Sequence, residues 1–280
     1  GYSANQAVLG LLPKKGDLIL ADRLIHNSMI TGAMKSGAKL KRYDHLDIAH
    51  LEKLLKENRS QYSSVFVVTE SLFSMDGDIP DLTAMAKLKK QHSFIWIVDE
   101  AHAIGWYGDS GSGLLEENDI THSADIIVGT MGKGIGSMGA YTILNNISIK
   151  EYLINFAGEF IYSTYLTPGS IGASLKAIEI IQDSKVERFE GRKVSLSTRM
   201  CLNKINNNYP TYDDSPIIPF IIGSSEETIS TAQRLKEKGY SVGAIRPPTV
   251  PIGTARLRIS LNTKLSKDIG DKLTKALAVS

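Results

Sequence analysis

The chain has a single cysteine, Cys201, so no disulfide can form within it. No apolar run is long enough to span a bilayer or to serve as a secretory signal, which makes the cytoplasm the expected compartment. An excess of either charge is missing as well. Thirty-two Lys and Arg against 30 Asp and Glu leave a net +2, and no basic stretch carries interleaved aromatics. Neither nucleic acid nor a membrane surface is therefore an expected partner. Histidines at metal-ligand spacing are lacking too: His45 and His50 flank Asp47 in a charged segment that fits no zinc signature. No metal is implied, and these two side chains are expected to be solvated. What remains is 280 residues, 42% hydrophobic and 22% charged, an ordinary globular composition with room for two domains.

The informative stretch runs from Ile95 to Tyr141. Phe94-Ile95-Trp96-Ile97-Val98 is an apolar run of buried-strand type that ends abruptly in Asp99-Glu100-Ala101-His102. Asp125-Ile126-Ile127-Val128 is a second such run, and it ends in Gly129-Thr130-Met131-Gly132-Lys133. Folding alone does not explain charge at these two points. In a parallel α/β sheet, ligands bind where strands exit the sheet, so an acid, a histidine and a lysine are expected to converge there on one small molecule.

Two nucleotide motifs have to be set aside. Gly134-Ile135-Gly136-Ser137-Met138-Gly139 matches the dinucleotide fingerprint, but Ala140-Tyr141-Thr142-Ile143-Leu144 after it reads as a strand where a helix is required. A Walker loop fails because Gly134, not Ser or Thr, follows Lys133, and Ile127 stands where its first glycine belongs.

Elsewhere helical and strand periods alternate. Gly1 to Leu12 reads as a glycine turn and an apolar helix, whose first N–H groups could hold a phosphate or simply begin the chain's first element. Asp17 to Asp22 and Val65 to Glu70 are strands, and Asp47 to Asn58 is a helix. Ile147 to Phe160 and Pro168 to Gln182 have helical spacing, with Tyr162-Ser163-Thr164 between them. The alternation predicts an α/β domain, a mostly parallel sheet with helices on both faces. Beyond about Val186 a long helix leads into strands at Ile217 to Ile222, Ser241 to Ile245 and Arg256 to Leu261, with helices at Glu226 to Lys238 and Lys267 to Ala278. Two domains are expected, a large one over 1–185 and a small C-terminal α+β one over 186–280.

A lysine among glycines after one strand, with an aspartate ending its neighbour, suits pyridoxal phosphate. That cofactor needs an amine to hold it and a carboxylate to keep its ring nitrogen protonated. Together with Ser74-Met75-Asp76-Gly77-Asp78 and Gly1-Tyr2-Ser3-Ala4-Asn5, these motifs resemble the α-oxoamine synthases, pyridoxal-phosphate enzymes of aminotransferase-like fold type I. The segment from Arg246-Pro247-Pro248-Thr249 to Arg256-Leu257-Arg258 narrows the resemblance to the branch that serves biotin synthesis. It covers essentially the whole chain, and implies a copy lacking an N-terminal segment that relatives carry.

The resemblance also implies roles. Lys133 holds the cofactor and moves protons, and for that it is expected in a buried, partly desolvated pocket. Asp99 faces the ring nitrogen, His102 the phenolic oxygen, and Thr130, Gly1 and Tyr2 the phosphate side. His26 lies on the ring and shapes the substrate pocket, although a histidine there is also an ordinary helix cap. Ser74 touches the cofactor, with Asp76 and Asp78 left as turn formers. Ser163 and Thr164 either reach the phosphate of a second subunit or form an ordinary capped loop before Pro168. Thr249 and Arg258 contact substrate, the guanidinium gripping the amino acid carboxylate. The implied reaction is a decarboxylative condensation of L-alanine with a pimeloyl thioester, carried by coenzyme A or an acyl carrier protein, in a homodimer with shared sites. A glycine-using sister enzyme (2-amino-3-ketobutyrate ligase or 5-aminolevulinate synthase) and a truncated, non-catalytic chain are the alternatives.

Overall fold

The computed structural model describes residues 1–205, 209 and 213–278. These form two compact units, Gly1–Phe73 with Ile79–Ser184, and Ser74–Asp78 with Lys185–Ser280.

The first unit opens with α1 (Tyr2–Leu11), β1 (Leu18–Asp22), α2 (Asn27–Lys35), β2 (Lys39–Tyr43) and α3 (Ile48–Asn58). It continues through β3 (Val65–Glu70), α4 (Leu82–His92), β4 (Ile95–Asp99), α5 (Leu114–Glu117), β5 (Ile126–Thr130) and β6 (Ala140–Leu144). Helices α6 (Ile147–Phe156), α7 (Gly158–Ile161) and α8 (Pro168–Asp183) close it. The six strands lie in the order β2-β1-β3-β4-β5-β6. All pairs are parallel except β5 with β6.

Every residue of β1, β3 and β5 is buried, as is β4 from Trp96 on, which explains their unbroken apolar runs. Val8, Leu9, Met29, Phe66, Val68, Ile97 and Val128 lie in one core cluster, so α1 and α2 cover one face of the sheet. Strand β2, Lys-Leu-Lys-Arg-Tyr, has no apolar run and gave no strand signal. It forms at the edge of the sheet, where charged side chains discourage further pairing. The helical stretch from Ile147 breaks at Ala157, whose backbone is extended, so α6 and α7 replace one continuous helix.

His45 and His50 are half-buried and paired, where free solvation was expected. His45 Nδ1 is 2.8 Å from Asp22 Oδ1, with its ring edge-on to Phe73, and His50 Nδ1 is 2.9 Å from Asp44 Oδ2. Each lies against a carboxylate that charge-rich sequence alone does not identify. Among the described residues, no three His, Cys, Asp or Glu are grouped to hold a metal.

The second unit contains α9 (Lys185–Leu202), β7 (Ile217–Gly223), α10 (Ser225–Glu237), β8 (Gly243–Ile245), β9 (Ala255–Ser260) and α11 (Ile269–Ala278). Its strands form an antiparallel sheet in the order β7-β9-β8. Arg256 and Arg258, two apart on β9, both turn to the segment Ser74–Asp78. Buried Arg256 pairs with Asp76, and Arg258 Nε donates to the Ser74 carbonyl at 2.5 Å. Asp76 is thus an ion-pair partner as well as a turn residue. Gly77 has φ 71°, and a Cβ there would come within 2.3 Å of the Ile217 carbonyl oxygen, so only glycine lets the segment lie this close to β7.

Candidate active site

Strand order places the site. Chain leaving β1 runs outward to β2, and the chain returning from β2 enters β3 on the other side of β1, so β1 and β3 flank the point where the winding reverses. The polar residues gather at the C-terminal ends of the strands around this point. A cavity of about 250 Å³ is lined there by Gly1, Tyr2 and Asn5 from the start of α1, and by His26 and Ser28 after β1. Glu70 ending β3, Asp99 ending β4 with Ala101 beyond it, Thr130 ending β5, and Gly132 and Lys133 after it complete its charged side.

Asp99 is buried and held from two directions. Its Oδ1 accepts from the Ala101 N–H at 2.8 Å and its Oδ2 from the Asn5 amide at 2.8 Å. The same Asn5 nitrogen donates to Ser28 Oγ at 3.1 Å. His26 is the N-cap of α2, its Nδ1 accepting from the Ser28 N–H at 3.2 Å and lying 2.8 Å from Ser28 Oγ. It is therefore a helix cap that also lines the cavity. Burial pushes its pKa below the ordinary value, the Lys133 charge adds to this, and Asp99 opposes it. An acceptor Nδ1 leaves the ring proton of the neutral form on Nε2.

Lys133 sits in the Met131–Gly139 loop, which is closed by Met131 N–H to the Gly139 carbonyl (3.0 Å) and Ser137 N–H to the Met131 carbonyl (2.7 Å). That loop ends in antiparallel β6, the strand that rules out a dinucleotide helix. The Lys133 amine is 2.7 Å from His102 Nε2. Contrary to the expected buried pocket, Lys133 is exposed, on the glycine-rich loop beyond the end of β5.

Glu100 points elsewhere. Its carboxylate accepts from Ser71 Oγ (2.5 Å), Leu114 N–H (3.1 Å) and Leu115 N–H (2.8 Å), fastening the loop after β4. Burial pushes its pKa up to about 7 in spite of these donors. A Cβ on Gly113, whose φ is 129°, would meet Glu100 Oε2 at 2.5 Å, so this anchor requires glycine.

The structure thus brings Gly1, Tyr2, His26, Asp99, Thr130 and Lys133 around one cavity, with His102 bonded to the lysine. It does not bring Ser163 and Thr164 there: both lie on the exposed link between α7 and α8. Ser74, Thr249 and Arg258 belong to the second unit. Asn5, Ser28 and Glu70 line the cavity and were not singled out from the sequence. Glu70 carried the same signal as Asp99, a charge ending a buried strand.

The lining fits pyridoxal phosphate. An amine, a carboxylate held by two donors and an imidazole surround the space. Buried Thr130 Oγ1 has no hydrogen-bond partner, and α1 has no side-chain cap, leaving N–H groups for an anion. Gly1 keeps this end open, since a Cβ there would lie 2.6 Å from Thr130 Cγ2.

Comparison with known proteins places the chain in a family. The family model for class I and II aminotransferases matches residues 1–277. The chain is 38% identical over 277 residues to the 8-amino-7-oxononanoate synthase of Chlorobaculum parvum, covering 99% of this chain and 70% of that protein. The solved structure of the same enzyme from Francisella tularensis aligns with TM-score 0.82 at 31% identity, covering all of this chain and 79% of that one. A Sphingomonas wittichii serine palmitoyltransferase aligns with TM-score 0.92 at 27% identity over 99% of this chain and 69% of that one. The chain belongs to the pyridoxal-phosphate-dependent class I and II aminotransferase family and, within it, to the 8-amino-7-oxononanoate synthases, which are acyltransferases.

Proposed function

We propose that the protein condenses L-alanine with a pimeloyl thioester, on coenzyme A or an acyl carrier protein, to give 8-amino-7-oxononanoate for biotin synthesis in the cytoplasm. The observation that carries this reading is the convergence of Lys133, Asp99 and His26 on one cavity at the strand ends, with His102 2.7 Å from the lysine amine. Pyridoxal phosphate, when bound, supplies an electron sink for negative charge at the substrate Cα.

The residues do the rest. The Lys133 amine is the group that would hold the cofactor, and as a free amine it would take the proton from the alanine Cα. Asp99, its two oxygens fixed by the Asn5 amide and the Ala101 N–H, is the carboxylate that would face the cofactor's ring nitrogen. His102 would hydrogen-bond the phenolic oxygen, Thr130 and the start of α1 would hold the phosphate, and His26 would cover the ring. The alanine Cα would then bond to the thioester carbonyl carbon as the C–S bond breaks and the thiol leaves, the carboxylate would depart as carbon dioxide, and Lys133 would return its proton to the Cα.

The same reading makes the protein a homodimer in which Ser163 and Thr164 reach the partner's phosphate. Large apolar side chains open to solvent on and between α6, α7 and α8 support this, among them Phe156, Phe160, Tyr162 (89% exposed), Tyr165 (96%) and Leu175. Assaying the purified protein with L-alanine, pyridoxal phosphate and each pimeloyl thioester tests the reading. Formation of 8-amino-7-oxononanoate is expected, and turnover with glycine but not alanine would overturn the substrate assignment.

A further inference from the structure

Glu70 ends β3 directly beside Asp99 at the end of β4, the two being paired in the sheet register. Neighbouring strands are about 4.8 Å apart, so two carboxyl groups share the floor of one cavity. Their hydrogen bonding is unequal. Asp99 has a donor on each oxygen, the Asn5 amide and the Ala101 N–H. Glu70, 3% exposed, accepts from the His26 backbone N–H, and its Oε1 is buried with no partner. A charged oxygen sealed from water without a donor costs several kcal/mol, on the order of the penalty for a buried unpaired charge. A carboxylic acid O–H in the same place costs far less and becomes a donor waiting for an acceptor.

We propose that Glu70 is a positioning residue that works as a neutral acid: one oxygen fixes the His26 backbone, and Oε1 offers a hydrogen bond to an oxygen acceptor of the ligand seated over Asp99. This rests on the functional reading above for the identity of the ligand, either the cofactor or the amino acid carboxylate. The charges facing Glu70 are Asp99 from β4, Asp22 from β1 and Lys133 from the loop after β5. Burial and the two aspartates push its pKa up to about 8, Lys133 and the His26 N–H opposing them. The acid form is therefore the one present at neutral pH. Its hydrogen bond to the His26 backbone orients the residue that caps α2 and covers the cavity.

Infrared difference spectroscopy of Glu70→Gln against the unaltered protein tests this. A protonated-carboxyl stretching band is expected at pH 7 in the cofactor-free protein, absent from Glu70→Gln and lost as the pH passes about 8. On adding pyridoxal phosphate alone, then L-alanine, the band should move to lower frequency at whichever step supplies the acceptor. Cofactor affinity should fall at least tenfold in Glu70→Leu and much less in Glu70→Gln, which keeps a donor. Absence of the band at pH 7, a band unmoved by both ligands, or equal loss of affinity in the two variants would overturn the proposal. If the unaltered protein binds no pyridoxal phosphate, the functional reading fails by itself, whereas the band of the cofactor-free protein reports on Glu70 independently.

Discussion

Asn5 and Asp99 are 94 residues apart in the chain, yet the Asn5 amide donates to Asp99 Oδ2 at 2.8 Å and to Ser28 Oγ at 3.1 Å. One side chain on α1 therefore positions both the carboxylate at the end of β4 and the capping turn that carries His26. A hydrogen bond to a charged group contributes about 1.5–3 kcal/mol. Asn5→Ala should weaken pyridoxal phosphate binding by roughly tenfold or more, measured by titrating the cofactor-free variant. Unchanged affinity would mean that Asp99 keeps its place without Asn5.

Lys133→Ala should remove the visible absorbance of lysine-bound pyridoxal phosphate and leave the far-ultraviolet circular dichroism intact, because the side chain stands exposed on a loop and contributes nothing to the core. A borohydride-reducible adduct persisting in the variant would show that another amine holds the cofactor.

Asp99→Asn should keep the cofactor bound and slow turnover by about two orders of magnitude or more, an effect of about 3 kcal/mol on the barrier. A neutral amide cannot keep the ring nitrogen protonated, so the bound cofactor's absorption should also lose its dependence on that proton. Turnover near the original rate would make Asp99 a strand terminator only.

Glu100 sets a pH dependence of stability. Burial raises its folded pKa from 4.5 to about 7, so the folded state retains a proton that the unfolded chain releases in this window. The contribution to stability is therefore greatest below about pH 4.5, declines as the pH rises to about 7, and is flat above. The slope is at most about 1.4 kcal/mol per pH unit. Urea denaturation of Glu100→Gln beside the original protein isolates it: the variant should lack this part of the decline, although it loses an acceptor for the Leu114 and Leu115 N–H groups. Parallel pH profiles for the two proteins would assign the group a normal pKa.

Thr164→Ala should weaken cofactor retention if the exposed link before α8 serves a neighbouring subunit. Mixing that variant with Lys133→Ala should yield activity above either alone, since a mixed dimer contains one intact composite site. A monomer by light scattering at full cofactor occupancy would exclude shared sites.

Strands β1, β3, β4 and β5 could be read from the chain because each is buried on both faces and so must be apolar throughout. For the same reason Asp99 and Lys133 stood out: nothing in folding requires charge directly after such runs. Edge strand β2 escaped notice because half-exposed Lys39, Lys41 and Arg42 need no apolar pattern, and its pairing with β1 supplies the order instead. Tertiary structure alone decided what Asn5, Glu70 and His45 do. Each is an ordinary polar residue until a distant carboxylate, Asp99 for the first two and Asp22 for the third, is brought beside it. It also decided that Ser74–Asp78 joins the second unit and not the domain that surrounds it in sequence, through Arg256 with Asp76 and Arg258 with the Ser74 carbonyl. Local periodicity records which face of an element is buried. Hydrogen bonds and charge pairs between elements depend on where the chain returns, and that is a property of the packed fold.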